Sequence, residues 1–404
     1  MDSGPRLPSR IAHFDLDTFF VAVERVRDPS LRGKPVLVGH NGPRGVVAAA
    51  SYESRVFGCR SAQPMVQALR MCPQAVVVPP DFSAYRPVSE RFHAMLRETS
   101  PVVESVGIDE AYVDLTGIGD ATGGAYRTAE ALRARVRAEL DIAVSVCIAG
   151  SRTTAKVGSD RAKPDGLIEV PVGDDAAFLA PLPIRDLPMV GPKAAESLYR
   201  VGVRTIGQLA AVDVRWLEQL FGKAGPMLSE RARGLDPTPV NGGGRVSRSI
   251  SRESTFGEDV TDEAELRRVL ARHAERVGTD LRESGRRART VTLKLRWSDF
   301  TTLTRAHTLD RPMQSTAAIL EAGQALLDAT IAAEGMRPVR LVGLGVTNLV
   351  EDAVQLDFFD AAPAGAPGPA GVLRDEELDR TLDGIRARFG TSAVRRGLPG
   401  DRGR

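Results

Sequence analysis

FDLDTFFVAVE (Phe14–Glu24) and SVGIDEAYVDLTG (Ser105–Gly117) are the two stretches that decide the fold. In the first, residues 10–16 (RIAHFDL) form an apolar run of strand length that ends in acids. Phe19, Phe20, Val23 and Val26 then recur at helical spacing. In the second, Val102–Leu115 reads as two apolar runs meeting at Gly107, Ile108, Asp109 and Glu110, a hairpin-like arrangement. Around them, Val36–Gly39, Gly45–Ala50 and Ala143–Ala149 are strand-like, whereas Ala62–Met71, Tyr85–Glu98 and Ala125–Leu140 have helical periodicity. Strands alternating with helices predict an α/β first half.

From Asp174 to about Pro239 the pattern is helical, punctuated by Gly191, Gly202, Gly222 and Gly234. NGGGRVSRSISRES (Asn241–Ser254) has the composition of a flexible basic linker. Beyond it a compact α+β domain is expected, with strands over Thr290–Trp297 and Val339–Leu349. The stretch after Ala361, AAPAGAPGPAG, is low-complexity and is expected to be unstructured. An amphipathic helix follows at Glu376–Phe389, with Leu378, Leu382 and Ile385 on one stripe and no assigned role. No internal repeat is evident.

A chain of 404 residues exceeds one ordinary core, so two to four domains are expected. Apolar residues at 42% and charged residues at 26% are the composition of a soluble globular protein. No apolar run is long enough to span a bilayer, and the N-terminus lacks the layout of a signal peptide, so a cytoplasmic location is expected. Cys59, Cys72 and Cys147 have no zinc-type spacing and read as buried free thiols. The net charge of +2 announces no polyanionic partner, but its distribution does. Arg286, Arg287, Arg289, Lys294, Arg296, Arg305 and Arg311 face only Asp299 and Asp310 in the same segment.

Asp15 ends an apolar strand, and Asp109 and Glu110 sit where two apolar runs meet. Acids in such settings are costly unless paired, hydrogen-bonded or bound to a cation. Phosphoryl transfer gives a reason to keep them, since two divalent ions roughly 3.5–4 Å apart can serve the attacking and leaving oxygens. A carboxylate-only set, read as having no histidine or cysteine nearby, suits magnesium or manganese better than zinc. Spacing alone leaves Asp17 and Asp114 equally eligible, because alternation puts Asp17 on the same strand face as Asp15.

Together with ASYESRVFG (Ala50–Gly58) and SDRAKPDG (Ser159–Gly166), these two stretches resemble the successive signatures of the Y-family translesion DNA polymerases, in particular the bacterial DNA polymerase IV branch. The resemblance covers about the first 360 residues. It implies a right-hand polymerase of α/β and α+β domains: palm (1–18 and 82–170), small fingers (19–81) and helical thumb (171–240). A linker (241–252), an α+β little finger (253–350) and a tail (351–404) complete it. It implies template-directed, low-fidelity synthesis without proofreading, by a monomer acting on primer-template DNA and deoxynucleoside triphosphates near the nucleoid, in damage tolerance and repair. The metal ligands it implies are Asp15, Asp109, Glu110 and the Leu16 carbonyl, with Asp17 structural.

The resemblance also assigns Tyr52, Arg55 and Lys163 to the incoming triphosphate, with Lys156 a weaker candidate. Phe20 falls on the steric gate, the ring that excludes a ribose 2′-hydroxyl. Phe19 belongs to the same nucleotide-pocket segment but reads as a core aromatic. Two departures stand nearby: Ala49 where the family has Ser or Thr, and Gly107 where it has Ser. LPMVGPKAAESLYRVGV (Leu187–Val203) is similar to a helix-hairpin-helix, with Met189 in place of its first Gly and with Gly191 and Lys193 as phosphate contacts. Arg248, Arg252, Lys294 and Arg296 are the expected little-finger contacts to DNA. QLDFFD, residues 355–360, resembles a sliding-clamp-binding peptide, with Gln355, Leu356, Phe358 and Phe359 as its anchors.

Overall fold

The structure is a computed structural model that describes residues 8–118, 124–243, 247–351, 369–390 and 393–394, with side chains of the last helix from Arg374 onward. The chain divides into two compact units, Met1–Arg245 and Val246–Arg404.

The first unit opens with β1 (Ile11–Leu16) and α1 (Phe19–Arg27), then β2 (Val36–Gly39), β3 (Val47–Ala50), α2 (Tyr52–Arg55), α3 (Met65–Met71) and β4 (Val76–Val78). It continues through α4 (Phe82–Thr99), β5 (Val103–Ser105), β6 (Glu110–Asp114), α5 (Gly124–Leu140), β7 (Val144–Ala149), α6 (Arg152–Ala162) and β8 (Leu167–Glu169). A helical section closes it: α7 (Asp175–Leu179), α8 (Pro192–Arg200), α9 (Ile206–Ala210), α10 (Val214–Phe221) and α11 (Ala224–Ala232).

β1 is the middle strand of a five-stranded sheet ordered β5-β6-β1-β7-β8, and it runs antiparallel to both neighbours. All six of its residues are buried, the polar His13 and Asp15 among them. Alternation sends Ala12, Phe14 and Leu16 into the core with Phe92, Met95 and Leu96 of α4 and Leu132 and Val136 of α5. Burying a side chain such as Phe14 contributes about 1.5–3 kcal/mol. His13 and Asp15 are left on the other face, where α6 crosses the strand. A three-stranded sheet, β3-β2-β4, packs on α3 around Leu37, Val47, Met65 and Ala68, and encloses the free thiols Cys59 and Cys72. The third thiol, Cys147, is also free and buried.

The second unit contains β9 (Ser249–Val260), α12 (Glu263–Glu283), β10 (Arg286–Trp297), β11 (Thr302–Met313), α13 (Thr316–Glu334), β12 (Val339–Glu351) and α14 (Pro369–Phe389). Its sheet is antiparallel and ordered β11-β10-β12-β9. Val291, Leu293, Leu295 and Trp297 of β10 pack against Leu266, Leu270 and Val277 of α12 and Ile319 and Leu327 of α13. Lys294 and Arg296 therefore lie on the helix-free face, with Gly343 directly opposite Lys294. No helix among the described residues is long and apolar enough to cross a membrane.

Two expectations change here. The linker expected over 241–252 is already strand from Ser249, because Ser249–Thr255 pairs with Leu341–Thr347 of β12. Its polar composition reflects an edge strand, mostly exposed along its length. The second change concerns the tail helix. α14 docks on the second unit through its acids, whereas Leu378 on the expected apolar stripe is 48% exposed. Glu376 takes a two-pronged contact from Arg287, at 2.6 and 2.8 Å, and a further bond from Gln314. Asp379 accepts from the Thr316 backbone N–H at 2.8 Å, and Asp383 pairs with Arg282 at 2.6 Å. Leu382 and Ile385 of the same stripe are half-buried, and the stripe carried no information on the arginines waiting opposite.

Candidate active site

The register of β1 against β6 pairs Asp15 with Glu110, so the two acids stand side by side at one end of the sheet. Asp109 immediately precedes β6, and its carbonyl accepts the Leu16 N–H at 2.9 Å, which ties the two acidic motifs together. Thr18 holds φ +44°, an uncommon backbone for a β-branched residue, and turns the chain into α1 directly after Asp17. The acid motif and the Phe20 ring thus emerge on either side of one tight turn.

α6 supplies the positive charge. Lys156 Nζ lies 2.5 Å from Glu110 Oε2 and 3.3 Å from Asp15 Oδ2. Lys163, just past the helix, lies 2.8 Å from both Asp15 Oδ2 and Asp160 Oδ1. Burial alone would lower both lysine pKa values, but Asp15 and Asp160, and for Lys156 also Glu110, outweigh it and raise them. The acids respond in opposite directions. Burial, reinforced by the charges of Asp15 and Glu110, pushes Asp109 up to about 6. The facing His13 ring and Lys156 hold Glu110 down at about 2, against burial. At 3.5 Å the His13 contact is long for a hydrogen bond, so Lys156 is the firmer partner.

Asp17 takes a different position. It is 4% exposed, and it accepts from Ser145 Oγ at 2.8 Å and from the Asp165 N–H at 2.6 Å. One of its oxygens is therefore committed to Ser145 of β7 and the other to the loop that carries Lys163. These contacts distinguish Asp17 from Asp15, which faces Lys156 and Lys163 instead. Among the described residues, His13, Asp15 and Glu110 are the group whose ligand atoms lie within 4.8 Å of one another, and Asp109 stands outside that group. Carboxylate oxygens that draw in two ammonium groups form a donor set fitted to hard divalent cations.

The nucleotide-pocket residues gather beside the acids. The Arg55 guanidinium sits over the Tyr52 ring, 5.0 Å from its centroid, and Arg55 Nε donates to the Ala50 carbonyl. The Tyr52 hydroxyl is buried without a hydrogen-bond partner, which makes it a donor in search of an acceptor. Burial and nearby Asp17 raise its pKa, so it stays protonated and able to donate. Phe19 is 3% exposed and lies in the core, so its side chain does not line the pocket. Phe20 is half-buried and stacks on Tyr85, with Phe82 edge-on at 5.6 Å. Ala49 is 8% exposed in β3 and offers no hydroxyl.

In the helical section, Gly191 caps α8 and Lys193 is exposed in its first turn. Met189 adopts φ +77°, the backbone that the usual glycine provides, so the turn is kept at the cost of strain. In the second unit Arg252 pairs with Asp280 and Lys294 with Glu253, while Arg296 Nε donates to Thr302 and Arg248 is exposed. The basic segment is thus partly consumed internally, as Arg287 is by Glu376 and Arg305 by Glu334. Gln355, Leu356, Phe358 and Phe359 lie outside the described residues. Sequence reasoning missed His13, Ser159 and Tyr85. The signal for His13 was its place two residues before Asp15, hence on the same strand face.

Comparison with known proteins agrees with this architecture. Residues 14–160 match the impB/mucB/samB family, and residues 247–358 match the impB/mucB/samB family C-terminal domain. The chain belongs to this family. It is 40% identical to the DNA polymerase IV of Dehalococcoides mccartyi strain CBDB1, over 96% of this chain and 97% of the relative. It is 43% identical to the DNA polymerase IV of Streptomyces coelicolor, over 90% of this chain and 77% of the relative. Among solved structures, a Y-family DNA polymerase chimera of Dbh and Dpo4 superposes with a TM-score of 0.76 at 24% identity, covering 85% of this chain and all of that one. Its fold is therefore that of the Y-family DNA polymerases.

Proposed function

We propose that this protein is a DNA-directed DNA polymerase that extends a primer by template-directed, low-fidelity translesion synthesis without proofreading. The observation that carries the reading is the pairing of Asp15 with Glu110 on adjacent strands, with Lys156 and Lys163 drawn onto them. Asp15, Asp109, Glu110 and the Leu16 carbonyl are the residues that would hold divalent ions. Two such ions, magnesium or manganese, would polarise the reacting oxygens and neutralise charge on the phosphates. Tyr52, Arg55 and Lys163 would grip the triphosphate, since each brings a donor to the same edge of the site. Lys156 and Lys163, which now neutralise the acids, would be free to turn to phosphate oxygens if divalent ions took their place. Phe20 would close the sugar side of the pocket.

Gly191 and Lys193 would hold DNA phosphates through a helix N-terminus and a flexible cation. Arg248, Arg252, Lys294 and Arg296 would track the duplex backbone, so binding should be salt-sensitive and tolerant of sequence. The motif at 355–360 would dock on a sliding clamp, and the working unit would be a monomer in the cytoplasm at the nucleoid. Primer extension on a defined template tests the core of the reading. Incorporation of the templated deoxynucleotide, with no shortening of the primer, is expected; nuclease degradation or complete inactivity with magnesium would contradict it. Deleting residues 355–359 should remove stimulation by the clamp and leave unstimulated synthesis nearly intact.

A further inference from the structure

His13 is fully buried on the strand face it shares with Asp15, directly beneath the acids. Its ring is fixed on two sides. Nδ1 lies 2.7 Å from Ser159 Oγ of α6, and Tyr112 packs edge-on against it with centroids 4.7 Å apart. The third side is unusual. Nε2 is buried, has no hydrogen-bond partner, and faces Glu110 Oε2 at 3.5 Å. A buried nitrogen without a partner is costly, and an apolar residue at this position would avoid that cost.

We propose that His13 is a positioning residue that steers the Glu110 carboxylate through its Nε2–H. A neutral imidazole carries one N–H, and Ser159 decides where it sits. If Ser159 donates to Nδ1, the proton is on Nε2 and points at the Glu110 carboxylate. If Ser159 donates instead to the Lys156 carbonyl, 2.9 Å away, the proton sits on Nδ1. A bare Nε2 lone pair would then face Glu110 and Asp15, which is electrostatically unfavourable. Glu110 therefore selects the first arrangement. Lys156 and His13 converge on the same oxygen, Oε2. Lys156 is on a flexible stem and is a candidate to leave for a phosphate, whereas His13 is held in the core. It is the fixed donor that keeps Oε2 in place, leaving Oε1 for a cation.

The proposal rests on Glu110 being a metal ligand, and the experiment separates the two. Mn2+ binding to the protein–DNA complex is measured by electron paramagnetic resonance, beside the magnesium concentration for half-maximal primer extension. His13→Leu, which has no donor, should weaken Mn2+ binding and raise the magnesium requirement by about tenfold or more, as loss of a residue supporting a metal ligand typically does. His13→Gln, whose amide can donate near the Nε2 position, should restore both towards wild type. If His13→Leu fails to fold, His13→Asn, whose shorter amide falls short of Glu110, is compared with His13→Gln instead. Unchanged Mn2+ binding in His13→Leu, or an equal defect in His13→Gln, overturns the proposal. So does a directly coordinated nitrogen in the electron spin-echo spectrum of the Mn2+ complex, which would make His13 a ligand. Wild-type Mn2+ binding in Glu110→Ala would instead sink the reading of Glu110, and the His13 proposal with it.

Discussion

The Phe20 ring lies stacked on Tyr85, with centroids 4.5 Å apart and planes 20° from parallel. Tyr85 is itself fully buried, and its hydroxyl donates to Glu24 Oε1 at 2.7 Å. A ring that must exclude one hydroxyl by shape has to be rigid, and this stack supplies the rigidity. Phe20→Ala should raise ribonucleotide incorporation relative to deoxynucleotide by roughly 10–200-fold, the range expected when a pocket discriminates by shape. Tyr85→Leu should produce a smaller rise by letting Phe20 tilt. The ratio of kcat/KM for matched ribo- and deoxynucleotides measures both. A Phe20→Ala enzyme that rejects ribonucleotides as strongly as its parent would show that another residue is the gate.

Asp109 gives the metal site a pH signature. Burial and its acidic neighbours push its carboxyl up to about 6, so a divalent cation must displace a proton from it below that pH. For the metal-free protein the sign is the reverse: the raised pKa makes ionised Asp109 a destabilising charge at neutral pH, relieved as pH falls through 6. Added magnesium should therefore raise Tm more at pH 7.5 than at pH 5.5. Melting curves at the two pH values, with and without magnesium, check this, and Asp109→Asn should remove most of the difference.

The acids of α14 are nearly inaccessible, with Glu376 and Asp379 each 2% exposed. Removing one partner of such a pair leaves an uncompensated buried charge, at a cost of about 3–5 kcal/mol. Glu376→Ala should accordingly lower the denaturant midpoint of the second unit in the full chain, whereas Glu377→Ala, on the exposed side, should leave it unchanged. Burial opposes ionisation of Glu376, but Arg287 and Gln314 hold its pKa below the usual value of 4.5. The contribution is therefore present above pH 4.5 and fades as pH falls further.

A Cβ added at Gly107 would lie 3.2 Å from both Asp109 Oδ1 and Glu110 Cγ. Restoring the family's serine there would press on two of the acids the site depends on. Gly107→Ser should reduce kcat by about 3–10-fold, since displacements of a few tenths of an ångström are a fraction of the 1 Å that can cost 100-fold. Single-nucleotide incorporation kinetics decide the matter; a faster enzyme would mean the acids have room to adjust.

The strands that carry the site were legible because burial writes itself into sequence. β1 is buried at every residue and is apolar apart from His13 and Asp15, and β6 pairs with it in the register that aligns Asp15 with Glu110. β9, and the docking of α14 though not the helix itself, were not legible for the converse reason. Both are polar segments, one an edge strand and the other docked through charges, and their partners lie far along the chain. Which acids belong to the site needed the contacts themselves. Asp17 is hydrogen-bonded to Ser145 and Asp165, whereas Asp15 faces Lys156 and Lys163, all of them residues well over 100 positions away.

The central claim is that Asp15 and Glu110 act as metal-holding acids for nucleotidyl transfer. Primer extension by wild type, Asp15→Ala and Glu110→Ala across a magnesium titration tests it, with primer-template binding measured on the same preparations. Extension should fall by several orders of magnitude in both variants at every magnesium concentration, while DNA binding stays near wild type. Magnesium-dependent extension at near wild-type rates in either variant would contradict the claim.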